Sequence, residues 1–142
     1  MPNPSIKVSI RVPARRSSLL IMLDALVALN RDWLNQRARV EGIGAATPNL
    51  YEQAIRYRRE PRDPLTGLRL EEWKIYPELI ADGVGDCEDL AAARVAELRN
   101  RGINARPWLA RHGRMWHVQV RLPDGRIEDP SKRLGMNPGA RA

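Results

Sequence analysis

The stretch from Asp86 to Gly102 constrains the fold more tightly than any other part of the chain. Asp86 is an N-cap candidate, the run from Cys87 to Asn100 is rich in alanine and leucine, and Gly102 supplies a stop just beyond it. Glu88 and Asp89 fall in the first turn and Arg99 and Arg101 at the end, so side-chain charge matches the helix macrodipole at both termini. The hydrophobic period then changes. Ile103 to Ala110, Met115 to Arg121 and Arg126 to Asp129 read as strands, with turns around His112 and Gly113 and at Pro123, Asp124 and Gly125. A helix feeding an antiparallel meander predicts an α+β fold in which the cysteine-bearing helix packs on the sheet.

Upstream, Ile6, Val8, Ile10 and Val12 alternate with Lys7, Ser9 and Arg11, the pattern of a half-buried strand that Pro13 ends. Ser17 or Ser18 can cap a long amphipathic helix in which Leu19, Leu20, Leu23, Leu26, Val27 and Leu34 recur at helical spacing until Gly42. Asn49 is placed to cap a second, shorter helix with Leu50, Ala54 and Tyr57 on one face, followed by a loop from Glu60 to Gly67. Leu70 to Asp86 has no clear period and reads as irregular, with Pro77 suited to open a short helical turn. The tail from Leu134 to Ala142 should fray. A length of 142 residues suits a single domain.

A single cysteine, Cys87, excludes an intramolecular disulfide and any C-x-x-C zinc motif, which fits a reducing compartment. The longest apolar run, Leu19 to Leu29, is interrupted by Asp24 and is too short to span a bilayer, so no membrane association is expected. Lys7, Arg11, Arg15 and Arg16 precede that run as in a signal peptide. Trp33 and Arg37, however, stand where a small-residue cleavage site belongs, and secretion is not expected. The net charge is +7, but the arginines are scattered and no nucleic-acid recognition motif accompanies them. A solvated basic face is the simpler account, and nucleic acid is not an expected partner.

The chemistry centres on Cys87. At the first turn of a helix, unpaired N–H groups and the dipole favour a thiolate, while Asp86, Glu88 and Asp89 oppose it, so an imidazolium partner is needed. Of the two histidines, His117 lies on a predicted strand beside Gln119 and Arg121, whereas His112 falls in a turn; the rigid support favours His117. A three-residue loop at Pro123, Asp124 and Gly125 pairs Leu122 with Arg126 and sets Gln119 opposite Asp129, making His117 and Asp129 diagonal neighbours on one face. A two-residue loop would put them on opposite faces. In such a site the imidazole stabilises the thiolate and protonates the leaving group while the carboxylate fixes its tautomer. The Cys87 N–H is the natural oxyanion donor, with Trp73 the candidate for a second and Tyr51 an alternative substrate contact. Core packing is the ordinary role for both aromatics. No metal or cofactor is expected, since neither a fourth ligand nor a close-spaced ligand pair accompanies Cys87, His117 and Asp129.

These residues carry a resemblance. Gly83-Val84-Gly85-Asp86-Cys87-Glu88-Asp89-Leu90-Ala91, Gly102-Ile103-Asn104-Ala105-Arg106, Trp116-His117-Val118 and Ile127-Glu128-Asp129-Pro130-Ser131 are similar to the transglutaminase-like cysteine peptidase superfamily, also ordered Cys, His, Asp. The resemblance implies a papain-like core with Cys87, His117 and Asp129 as catalytic triad. Leu50-Tyr51, Arg56-Tyr57, Glu60-Pro61, Trp73 and Leu134-Gly135-Met136 extend it to small proteins of bacteriophage and prophage genomes. It covers about 49–136, leaving 1–48 as an N-terminal elaboration and 137–142 as a tail. It implies a cysteine peptidase acting on a protein or peptide substrate, in bacterial host cytoplasm or on the virion with a virion protein as partner. The alternatives are a transglutaminase or deamidase acting on glutamine side chains, and a non-catalytic virion-associated or binding module that retains the triad.

Overall fold

The computed structural model describes residues 15–41, 47–59, 73–113 and 115–136. Their order is α1 (Arg16–Glu41), a 3-10 turn (Leu50–Glu52), β1 (Arg56–Tyr57), α2 (Tyr76–Asp82), β2 (Val84–Gly85), α3 (Cys87–Asn100), β3 (Arg106–His112), β4 (Met115–Arg121), β5 (Ile127–Glu128) and α4 (Pro130–Arg133). The architecture is α+β. β3, β4 and β5 form an antiparallel sheet in that order, and β1 pairs with β2 in parallel.

α3 is enclosed on several sides. Leu90, Ala91, Ala92, Ala93, Val95 and Ala96 are all fully buried, because α1 packs on one side of the helix and the sheet on another. The run of alanines permits this, since short side chains let neighbouring elements approach the helix axis from several directions. α1 contributes Leu23, Leu26, Val27 and Leu34 to the core, at the helical spacing read from the sequence.

Burial on all sides also takes in polar groups, and each needs partners. The Glu97 carboxylate accepts from the Leu50 N–H at 3.0 Å, the Tyr76 hydroxyl at 3.0 Å and Arg94 at 2.8 Å. Tyr76 stacks on Trp33 of α1 with ring centroids 5.5 Å apart, and its own N–H donates to Asn30 Oδ1 at 2.7 Å. One buried carboxylate on α3 therefore gathers the 3-10 turn, α2 and, through Tyr76, α1.

Several sequence expectations are corrected. Asn49 does cap, accepting from the Tyr51 N–H, but only for one 3-10 turn; Tyr57 lies on a strand, because Arg56 and Tyr57 pair with Val84 and Gly85. Within the stretch expected to be irregular Pro77 does open a helical turn, as expected, but the turn continues as a seven-residue helix, α2, which Gly83 ends in the left-handed region at φ 71°. β3 begins at Arg106 rather than Ile103 and continues through His112, so His112 lies on a strand and not in the turn. Leu134 is buried, and its carbonyl accepts from the Tyr57 N–H at 2.9 Å, so the chain stays packed there. The strand expected at Ser5 to Val12, the stop at Gly42, the loop at Glu60 to Gly67 and the tail 137–142 lie outside the described residues.

Gly85 sets the approach of β2 to α3. A Cβ there would overlap Leu79 Cδ2 and lie 3.3 Å from both Asp89 Cβ and Leu90 Cδ2. Gly85→Ala is expected to destabilise the fold by about 1–3 kcal/mol through overpacking, measured by urea denaturation.

Candidate active site

Cys87 opens α3, and a capping box fixes the turn around it. The Asp86 side chain accepts from the Cys87 N–H at 2.7 Å, while Asp89 accepts from the Asp86 N–H at 3.1 Å and from the Lys74 N–H at 2.8 Å. The thiol is buried and donates to Glu88 Oε2 at 3.2 Å. Burial, then the charges of Glu88 and Asp86, push the thiol well above its ordinary pKa; a hydrogen bond from the Val118 N–H works in the opposite direction.

That last contact follows from the sheet register. Val120 faces Glu128 across the β4–β5 pair, and the Leu122 N–H donates to the Arg126 carbonyl at 2.9 Å, so even-numbered residues of β4 direct their N–H groups toward β5. Two residues before Val120 no strand among the described residues continues that edge, because the chain turns at Asp129 into α4. The Val118 N–H is thus directed past the end of β5, and the Cys87 sulfur accepts it.

The same register places His117 and Asp129. Gly125 has φ 90°, the Leu122–Arg126 pair closes a three-residue loop, and Arg121 faces Ile127. Gln119 therefore stands opposite Asp129, as the parity argument requires. His117 Nε2 lies 2.8 Å from Asp129 Oδ2, and Gln119 Nε2 donates to the same oxygen at 3.2 Å. The other carboxylate oxygen caps α4, accepting from the Lys132 N–H at 3.2 Å. Burial alone would raise the Asp129 pKa, but hydrogen bonds from His117, Gln119 and the Lys132 N–H together hold it below the ordinary carboxyl value. With Nε2 engaged by the carboxylate, a proton exchanged with Cys87 would pass through Nδ1. The sulfur rests on the N–H of the residue that follows His117.

Other parts of the expected site differ. The Cys87 N–H, anticipated as an oxyanion donor, is taken by Asp86, because the side chain that starts the helix also satisfies its first donors. Tyr51 is committed elsewhere: its hydroxyl donates to Glu128 Oε1 at 2.8 Å, and its ring lies between Arg94 and Arg133, 4.7 and 3.8 Å from the guanidinium carbons. Burial, reinforced by Glu128, pushes its hydroxyl pKa up. Trp73 is half-buried against the core, next to Lys74, whose N–H is fixed on Asp89 in the first turn of α3. Glu88, expected to oppose the thiolate through its charge, is in addition the acceptor of the thiol hydrogen. Ligand atoms of Asp86, Cys87 and Glu88 lie within 4.8 Å of one another, so a divalent ion there would displace the Cys87 N–H and the thiol proton from the two carboxylates.

Compared with known proteins, the chain matches no family model, no curated protein and no solved structure.

The depressed pKa of Asp129 has a defined effect on stability. Its contribution is complete above the unfolded-state value of about 3.9 and is lost as pH falls through the lower folded-state value. Urea denaturation should show Asp129→Asn less stable than the parent at neutral pH, with the gap narrowing below about pH 4.

Proposed function

We propose that the protein carries out thiol-dependent acyl transfer on amide bonds, with Cys87 as nucleophile, His117 as its proton-exchange partner and Asp129 orienting the imidazole. One observation carries this reading: the 2.8 Å His117–Asp129 pair sits one residue along β4 from the N–H that the Cys87 sulfur accepts. The thiol proton passes to Nδ1 and the sulfur attacks the carbonyl carbon. The imidazolium then protonates the departing amine, and water releases the thioester. Peptide hydrolysis is the simplest outcome. On a glutamine side chain the same steps give deamidation, and with an amine in place of water they give transamidation. A transglutaminase-like, papain-like core belongs to this proposal, supported by the order Cys, His, Asp and by a cysteine that opens a buried helix beside an antiparallel sheet.

The local electrostatics bear on how such a site works. Glu88 and burial favour the neutral thiol at rest, so the nucleophile forms by proton transfer to His117 rather than by the helix dipole alone. The same observations favour a second reading, a non-catalytic binding module with a retained triad, in which Cys87 is simply a buried small residue and Asp86 a helix cap.

Iodoacetamide alkylation as a function of pH separates the two. With a working pair, the parent at about pH 6.5 reacts roughly 100-fold faster than His117→Ala, whose thiol stays protonated until well above the free-cysteine value of about 8.5. The same alkaline onset in both proteins would leave the binding module as the reading.

A further inference from the structure

We propose that Arg106 and Arg121 form a subsite for an acidic side chain of a polypeptide, on the sheet face that carries His117. Its use as a substrate subsite rests on the acyl-transfer reading, although the binding itself does not.

Arg106 and Arg121 stand directly opposite each other in the β3–β4 pair. Like charges in that position repel, and a folded domain gains nothing by placing them there. Among the described residues neither arginine is ion-paired with a carboxylate. A third arginine adds to the local charge: burial lowers the Arg99 pKa, Asp24 opposes that shift, and Arg31 and Arg106 reinforce it. The excess positive charge therefore suits an anion supplied from outside.

Arg121 is also held in place, its guanidinium carbon 4.8 Å from the centre of the Trp108 ring, which reduces the conformational entropy lost on binding. The strand period connects the pair to the candidate site. Arg121, Gln119 and His117 alternate onto one face of β4; Trp108 lies opposite Gln119, and Ala110 opposite His117. Four residues of β strand separate Arg121 from His117, roughly 13 Å, which an extended peptide spans in about four residues. An acidic residue three or four positions from the reacting amide would reach the arginines.

The distribution of charge favours a polypeptide over a nucleic acid. A phosphate backbone recruits cations along its whole length. Here the two arginines occupy one end of the row, and an indole and a carboxamide lie between them and His117.

The test is fluorescence anisotropy of fluorescein-labelled pentaglutamate with the full chain, with pentalysine and oligodeoxythymidylate as comparison probes. Pentaglutamate should bind in preference to both, and Arg106→Gln and Arg121→Gln should each weaken it by about tenfold. Removing one of two facing like charges should not lower the thermal unfolding midpoint, so weaker binding by Arg106→Gln reports the contact and not a damaged fold. Undetectable pentaglutamate binding by the parent, binding by either variant as tight as the parent's, or tighter binding of the oligonucleotide would overturn the subsite. Cys87→Ser should bind pentaglutamate as the parent does, so a silent thiol and a failed subsite give different results.

Discussion

The burial of α3 on several sides sets the terms for the rest of the molecule. A helix so enclosed contributes apolar contact in more than one direction, but its polar groups can no longer rely on water. Two of its carboxylates meet that demand by recruiting the chain around them. Asp89 receives backbone N–H groups from Asp86 and Lys74, and Glu97 receives Leu50, Tyr76 and Arg94. Segments with little regular structure of their own are thereby tied to the two ends of one helix.

The candidate site grows out of that arrangement. Asp89 fixes the turn in which Cys87 sits, and the early departure of β5 from the sheet leaves an N–H for the sulfur to accept. Glu128 and Asp129, adjacent in sequence, are both held: Glu128 by Tyr51, Arg94 and Arg133, and Asp129 by His117, Gln119 and the start of α4. Tyr51, considered as a substrate contact, instead steadies the strand that presents the carboxylate. The acids flanking Cys87 push the other way, toward a protonated thiol.

What could be read in the sequence was local and had a short period. The α3 run, bounded by Asp86 and Gly102, and the turn at Pro123, Asp124 and Gly125 both declare themselves within a few residues; whether that turn has two residues or three stays open in the sequence, and the three-residue form aligns His117 with Asp129. The features missed depend on distant partners. Nothing near Arg56 and Tyr57 announces that they will pair with Val84 and Gly85, and that pairing overrides the helical spacing of Leu50, Ala54 and Tyr57. Asp86 was recognised as a cap, and the same rule implied that the Cys87 N–H would be spent on it. For Glu88 the signal was present as charge, but whether a side chain one position along turns back onto the sulfur is a matter of packing.

Among the described residues β3 forms one border of the antiparallel sheet, with β4 on its inner side alone. Because Arg106, Trp108 and Ala110 direct their N–H groups inward to β4, the alternate residues Pro107, Leu109 and Arg111 direct theirs outward. Pro107 has no hydrogen to offer along that margin, and Arg111 sets an exposed charge beside it. A foreign strand would find an incomplete ladder there, so the border is chemically poor ground for the self-association that open sheets invite.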